Sequence, residues 1–167
     1  MDLYILRHAI AAEREVPASG PDSARPLTRK GAKKMRRIAS ALKKLDISFD
    51  VILSSPFRRA KETAEIVAEV FKCDDILKFS AHLKVGGDQS ALVKEINTHY
   101  SKYKSVLIVG HEPYLSSLIG VLLSGDKGAR VTMKKGGICK LSIPALKYGR
   151  CATLEWLMAP AQILGGE

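Results

Sequence analysis

Residues 3–8 read LYILRH, a short apolar run that ends in an arginine and a histidine. The apolar part predicts a buried β-strand, because a strand covered on both faces carries a continuous apolar run. Arg7 and His8 then fall at the carboxyl end of that strand. In open α/β sheets, ligands bind in the crevice beyond the carboxyl ends of the strands. The opening of the chain therefore predicts both the start of a parallel sheet and the place of a site.

The rest of the chain alternates between strand and helix patterns. Strands are predicted at residues 51–53, 76–83, 106–109, 138–143 and 153–158. Apolar spacing of three and four residues predicts helices after Thr28, from a Ser54 or Ser55 cap through Pro56 to Phe71, from Gln89 to about Tyr100, and after Pro113. Residues 9–26 lack periodicity and are predicted as a loop. This order indicates one domain, residues 1–167, with an α/β three-layer sandwich: a mostly parallel central sheet flanked by helices.

Composition excludes several classes of protein. Hydrophobic residues make up 46% of the 167 residues and charged residues 26%, as in a soluble globular chain. No apolar run approaches the roughly 18 to 20 residues of a membrane-spanning helix, and Arg7 and His8 interrupt any signal core. Cys73, Cys139 and Cys151 are an odd count without C-x-x-C spacing. We expect a cytoplasmic protein without disulfides, a zinc cluster or a membrane partner.

The chain is strongly basic, with 27 Lys and Arg against 17 Asp and Glu and a net charge of +10. Many of the basic residues lie at positions 29–44, where they alternate with an apolar stripe. The ordinary interpretation is the solvated face of a helix, and the alternative is a nucleic-acid surface. Aromatic residues amount to 6% and are not interleaved with the basic ones, so no nucleic-acid partner is expected.

Two more strands end as the first one does, in a polar cluster. SSPFRR (residues 54–59) follows the second strand and GHE (residues 110–112) follows the fourth. Both clusters open helices, whose free N–H groups and dipoles favour an anion. The expected ligand is a phosphoryl group held by Arg7, His8, Arg59 and His111: guanidinium forks match its oxygens, and one imidazole attacks phosphorus while the other donates a hydrogen bond. No acidic cluster indicates a metal site, so no cofactor is expected.

These motifs together resemble the histidine phosphatase superfamily, the phosphoglycerate-mutase-like fold, and in particular its short branch of SixA-type phosphohistidine phosphatases. The resemblance rests on LRHA (6–9), RPLT (25–28) with Gly31, SPFRRA (55–60) with Thr63, GHEP (110–113) and WLMAP (156–160). It covers nearly the whole chain. One departure is Ala9, which stands where the family usually has Gly.

The resemblance implies a role for each matching residue. His8 would be the nucleophile that becomes phosphorylated, and Arg7, Arg59 and His111 would hold the phosphoryl oxygens. Arg59 is preferred to its neighbour Arg58 because it occupies the family's Arg-Ala-x-x-Thr position. Ser55 is a candidate substrate contact or a helix cap.

The proton donor is left open between two residues. Mutase-like relatives carry an acidic residue after the third strand, where this chain has Ala81, His82 and Leu83. Asp88 follows and is either the donor or only a helix cap, while His82 could lie at the rim of the pocket. Glu112 is interpreted as the start of a helix.

The absence of a clear acid bears on the substrate. A phosphohistidine leaves as imidazole and needs less protonation than an alkoxide does. No long insertion follows the second strand, so an open crevice could admit a phosphohistidine on another protein. The expected activity is therefore that of a protein phosphohistidine phosphatase with a covalent His8 intermediate. The alternatives are a small-molecule phosphomonoesterase of the same superfamily and a basic binding module without activity.

Overall fold

The computed structural model describes residues 1–14, 20–128 and 130–166. Its centre is one sheet of six strands, which are β1 (Asp2–Arg7), β2 (Val51–Ser54), β3 (Leu77–Phe79), β4 (Ser105–Gly110), β5 (Ile138–Ser142) and β6 (Thr153–Met158). The order across the sheet is β3-β2-β4-β1-β5-β6. The first four strands are parallel, and β5 and β6 join as antiparallel strands. The carboxyl ends of β1, β2 and β4 therefore meet at one edge.

Helices cover both faces of this sheet. Those longer than a single turn are α1 (Arg29–Lys43), α2 (Arg58–Phe71), α3 (Gln89–His99) and α4 (Tyr114–Ser124), and a short α5 (Pro160–Ile163) follows β6. Leu3 and Ile5 of β1 pack toward α3 and α4, whereas Tyr4 and Leu6 pack toward α1 and α2. The alternation places an apolar layer on each face, which confirms the predicted three-layer sandwich with a mostly parallel sheet.

The predicted third strand, residues 76–83, is wrong in length. β3 contains only Leu77–Phe79, and short 3-10 turns lie on each side of it, at Asp74–Ile76 and Ala81–Leu83. β3 is an edge strand paired only with β2. The Ser80 hydroxyl accepts a hydrogen bond from the His82 N–H and turns the chain out of the strand direction.

The predicted start of the second helix is also wrong. α2 begins at Arg58 with Phe57 as its N-cap, so Pro56 precedes the helix and Ser54 belongs to β2. Ser55 is not the N-cap of α2, because it lies two residues before Phe57. Its Oγ atom accepts from the Phe57 N–H and is also hydrogen-bonded to His111.

The predicted loop 9–26 contains a 3-10 turn at Asp22–Ala24, and its residues 15–19 lie outside the described residues. The loop ends at Thr28, whose Oγ1 accepts from the Gly31 N–H at 2.9 Å and caps α1 as predicted. In the part of the chain that the structure describes, no helix combines the length and apolar character needed to span a membrane.

Candidate active site

Two histidines from distant parts of the chain lie side by side at the carboxyl edge of the sheet. β1 and β4 are neighbouring parallel strands in which Arg7 pairs with Gly110, so the next residue of each strand emerges at the same place. The rings of His8 and His111 have centroids 5.2 Å apart and planes inclined by 52°. Both residues are buried, with 6% and 1% of their surface exposed.

The tautomer of His8 follows from one contact. Its Nδ1 atom lies 2.7 Å from the carbonyl oxygen of Ala9. Because a carbonyl oxygen can only accept, Nδ1 carries the proton and donates it. The Nε2 atom of the neutral ring therefore keeps its lone pair and is available as a nucleophile.

Ser55 and Phe57 hold the second histidine. The Nε2 atom of His111 lies 2.8 Å from Ser55 Oγ, and the Phe57 ring packs 5.3 Å from the imidazole, centroid to centroid. The Nδ1 atom of His111 is buried and has no hydrogen-bond partner. Ser55 thus contacts a site histidine, which neither of its two expected roles included.

Arg59 brings a buried guanidinium to the same place from the first turn of α2. Its Nη1 donates to the carbonyl oxygen of Asp22 at 2.8 Å and its Nη2 to Asp22 Oδ2 at 2.9 Å. Its Nε is buried without a partner. Thr63 links this turn to the end of β1, since its Oγ1 accepts from the Ala9 N–H at 3.0 Å and donates to the Arg59 carbonyl at 2.6 Å.

Arg7 supplies a second guanidinium at the end of β1. Its Nη1 donates to the carbonyl oxygen of Met133 at 2.7 Å, while its buried Nε has no partner. The described site therefore contains three buried nitrogens without partners, on Arg7, Arg59 and His111. Buried polar atoms normally have partners, and guanidinium N–H groups pair best with oxyanions. A phosphoryl group among these atoms would satisfy them.

Burial and neighbouring cations keep both imidazoles neutral. Burial, with the charges of Arg59, Arg7 and Lys135, lowers the pKa of His8 to about 4. Burial, with the charge of Arg59 and the proximity of His8, lowers the pKa of His111 to about 3. Loss of water disfavours a charged ring, and nearby cations do so further. The cationic groups of the site therefore favour an anion, while the His8 ring stays neutral.

The two expected proton donors lie in other local structures. Asp88 is exposed and caps α3, where its Oδ1 accepts from the Ala91 N–H at 3.0 Å. His82 is half-buried in the turn after β3, where its backbone N–H donates to Ser80. Asp88 is therefore a helix cap, which was one of its two interpretations from the sequence. Among the described contacts, neither side chain is joined to His8 or His111.

Asp22 is a site residue that the sequence reasoning missed. Its Oδ1 accepts from Arg25 Nε at 2.8 Å while its Oδ2 accepts from Arg59. Partial burial alone would raise the pKa of Asp22, but the hydrogen bonds and charges of Arg59 and Arg25 outweigh it and hold the pKa below the ordinary value. The only available signal was an acidic residue three positions before the arginine of RPLT.

Metal ligation finds no support in the side-chain arrangement. Among residues 1–14, 20–128 and 130–166, no group of three or more His, Cys, Asp or Glu side chains is placed to hold a metal ion.

Comparison with known proteins gives consistent relatives. Residues 3–79 match the family described as the histidine phosphatase superfamily, branch 1. An uncharacterized protein of Picosynechococcus sp. is 33% identical over 141 residues, which are 84% of each chain. The phosphohistidine phosphatase SixA of Escherichia coli is 28% identical over 176 residues, covering 98% of this chain and 96% of SixA.

Solved structures agree with these relatives. The structure of the protein histidine phosphatase SixA complexed with tungstate superposes with a TM-score of 0.81 at 27% identity. The match covers 96% of this chain and 98% of that one.

Proposed function

The chain belongs to the histidine phosphatase superfamily and is a phosphatase, and from that premise we propose that it removes phosphoryl groups from phosphohistidine on proteins. The observation that carries the proposal is the contact between His8 Nδ1 and the Ala9 carbonyl, which leaves Nε2 as the attacking atom. We propose His8 as the nucleophile and Arg7, Arg59 and His111 as the groups that hold the phosphoryl oxygens. Ser55 is the positioning residue of His111.

In the first step, His8 Nε2 attacks phosphorus in line with the leaving nitrogen. A bond forms between Nε2 and phosphorus as the bond from phosphorus to the substrate nitrogen breaks. The substrate imidazole takes the electron pair. We propose that the Arg7 and Arg59 Nε–H groups, which have no partner, stabilise the charge on the equatorial oxygens without reorganising.

His111 needs a proton on Nδ1 to donate to the same oxygens. Ser55 Oγ already accepts from the Phe57 N–H at 3.3 Å, so its own hydroxyl proton is available for His111 Nε2. That arrangement places the ring proton of neutral His111 on Nδ1, the atom without a partner. His111 can then donate a hydrogen bond although its pKa is about 3.

In the second step, a water oxygen forms a bond to the phosphorus of phosphorylated His8, and the proton that the water loses stays on the released phosphate. The phosphoenzyme keeps its Nδ1–H bound to the Ala9 carbonyl. Cleavage of the bond between phosphorus and Nε2 therefore returns a neutral imidazole, and no acid has to protonate the leaving nitrogen. For a phosphohistidine substrate, the first step also breaks a bond between phosphorus and an imidazole nitrogen. The same groups would then serve both steps, which supports such a substrate.

Phosphate esters fit the described groups less well. An alkoxide leaving group needs a general acid. Asp22 is a poor one, because Arg59 and Arg25 hold its pKa below the ordinary value, and Asp88 is an exposed cap. The relative that binds tungstate is named a protein histidine phosphatase, which also favours the protein substrate over a sugar phosphate.

The test compares hydrolysis of a phosphohistidine protein, a phosphoserine peptide and a sugar phosphate by the purified chain. We expect a strong preference for phosphohistidine and an acid-labile phosphoenzyme that can be trapped by rapid quenching. A strong preference for the sugar phosphate would favour the phosphomonoesterase alternative. Binding of nucleic acid without turnover of any phosphate would favour the binding-module alternative.

A further inference from the structure

A small hollow lies between the turn after β3 and the start of α4. Its volume is about 190 Å³, and its walls include Val85, Pro113 and Tyr114, with Gln89 and Glu112 as polar groups. Pockets for drug-sized ligands measure roughly 300 to 1,000 Å³. The hollow therefore suits a single side chain rather than a metabolite.

Glu112 connects this hollow to the phosphoryl site. It directly follows His111, and its negative charge opposes the lowering of the Arg7 pKa that burial causes. The carboxylate is fixed at the start of α4: Oε1 accepts from the Ser116 N–H at 3.2 Å, and Oε2 accepts from the Ser116 hydroxyl. A negative group is thus held beside a cationic site.

Gln89 and Tyr114, which also line the hollow, are held in place by hydrogen bonds. The Gln89 amide nitrogen donates to the Tyr114 carbonyl at 3.0 Å, and the Tyr148 hydroxyl donates to Gln89 Oε1 at 3.2 Å. The Tyr114 hydroxyl is buried and has no hydrogen-bond partner. Burial raises the pKa of Tyr114, with smaller effects from Asp88, Tyr148 and Glu95, so the hydroxyl stays neutral. The hollow therefore offers an apolar lining and the Glu112 carboxylate.

We propose that this hollow is the subsite for the leaving imidazole of a phosphohistidine, and that Glu112 binds the ring N–H remote from the phosphoryl group. The inference rests on the proposed function and extends it to the substrate's ring. An imidazole has a flat apolar face, which matches the apolar lining of the hollow, and a polar edge, which matches Glu112. A carboxylate is the acceptor that best matches a ring N–H bearing partial positive charge.

This contact makes the substrate a better leaving group. A phosphohistidine protonated on its remote nitrogen releases neutral imidazole when the bond between phosphorus and nitrogen breaks and the ring takes the electron pair. Without that proton it would release an imidazolate. Glu112 favours the protonated form of the substrate, much as the Ala9 carbonyl holds the proton of phosphorylated His8. No proton has to be transferred to the leaving nitrogen during the step.

The first test compares two substrates in one variant. For Glu112→Gln we expect the ratio of kcat/KM for a phosphohistidine peptide to that for p-nitrophenyl phosphate to fall about tenfold or more, since a charged hydrogen bond is lost. The p-nitrophenolate leaving group has no ring N–H. The matched control is Asp88→Asn, which removes a nearby exposed charge while keeping a capping side chain. Its ratio should equal that of the wild type.

Because the ratio is taken within one preparation, it does not depend on the folded fraction. An unchanged ratio in Glu112→Gln would show that Glu112 only supports α4 and would overturn the inference, leaving the proposed function intact. An equal fall in Asp88→Asn would overturn it as well, as a general effect of charge. Failure of the wild type to hydrolyse phosphohistidine would overturn the proposed function together with the inference.

A second test needs no variant. Imidazole and N-methylimidazole are compared as inhibitors of p-nitrophenyl phosphate hydrolysis at a pH where both are neutral. Imidazole keeps one N–H for Glu112 and should inhibit about tenfold better than N-methylimidazole, which has none. Equal inhibition by the two compounds would contradict the contact with Glu112.

Discussion

The carboxylate of Asp22 lies 2.9 Å from Arg59 Nη2, and its backbone carbonyl lies 2.8 Å from Arg59 Nη1. One residue therefore occupies both terminal nitrogens of a buried guanidinium, while Nε is left for another anion. This arrangement fixes the plane of Arg59 before any phosphate arrives, which is the condition for electrostatic stabilisation without reorganisation.

The Asp22 contact predicts a pH-dependent contribution to stability. The pKa of Asp22 is lower in the folded chain than its unfolded value of about 3.9. The stabilisation by the ionised Asp22 carboxylate is thus fully present above the unfolded pKa. It is lost as the pH falls through the lower pKa of the folded chain. We expect Asp22→Asn to reduce the free energy of unfolding by about 1 kcal/mol at pH 7, allowing for partial exposure, and by less at about pH 3, below the unfolded pKa. Urea unfolding at both pH values measures this, and an equal difference at the two would contradict it.

Arg59 and Arg58 make a matched pair for mutation. Arg59→Lys should reduce kcat/KM by the equivalent of about 2 to 4 kcal/mol, because lysine cannot hold Asp22 and a phosphoryl oxygen with one planar fork. Arg58 is exposed and pairs with Glu62 at 2.7 Å, so Arg58→Lys should change kcat/KM little. Steady-state kinetics with a phosphohistidine peptide measures both. Similar losses in the two variants would remove Arg59 from the proposed site.

His8→Ala should abolish turnover and the acid-labile phosphoenzyme, because no other described histidine has a ring nitrogen at the position of His8 Nε2. The fold should stay intact. Quenched-flow labelling with a phosphohistidine protein detects the intermediate, and circular dichroism reports the fold. The control is His99→Ala, which removes an exposed histidine of α3. A labelled phosphoenzyme in His8→Ala would assign the nucleophile elsewhere.

The histidine pair predicts loss of stability in mild acid. The unfolded chain binds protons at these residues below about pH 6.5, whereas the folded chain keeps His8 and His111 neutral down to about pH 4 and 3. Stability therefore falls as the pH drops from 6.5, by about 2 kcal/mol per histidine between pH 7 and pH 5. Urea unfolding of the wild type and of His111→Asn gives the comparison, and the variant should show the smaller fall.

Phosphate should reverse part of this effect. An oxyanion beside the rings favours their charged forms and raises both pKa values. We expect the ring nitrogens of His8 and His111, followed by NMR, to titrate at higher pH in phosphate than in chloride buffer. Identical titration in the two buffers would show that the anion does not bind between the rings.

The sequence predicted the meeting of His8 and His111 because its causes are local and periodic. Each apolar run is continuous, and a histidine follows directly after the last residue of each strand. Parallel pairing of β1 with β4 then brings the residues that follow together without any special contact. The position of Arg59 has the same cause, since it lies in the first turn of the helix after β2.

The function of Asp22 and the limits of β3 depend instead on individual contacts of single residues. Asp22 lies in a segment without periodicity, and its function follows from contact with a guanidinium of α2. The third strand stops at Phe79 because pairing on one edge gives little support and Ser80 offers a competing hydrogen bond. Neither effect leaves a repeating pattern of residues from which it could be inferred.

The Thr63 hydroxyl has a consequence for how the site tolerates change. Its oxygen accepts from the Ala9 N–H, directly after the proposed nucleophile His8, and it donates to the carbonyl of Arg59, the proposed phosphate-binding arginine. A sliding movement of α2 would carry the end of β1 with it, so the distance between imidazole and guanidinium is conserved during such movement. Thr63→Val keeps the shape of the side chain but has no hydroxyl. In this variant α2 and the end of β1 would move independently, so the distance between imidazole and guanidinium would vary although every reacting atom is still present.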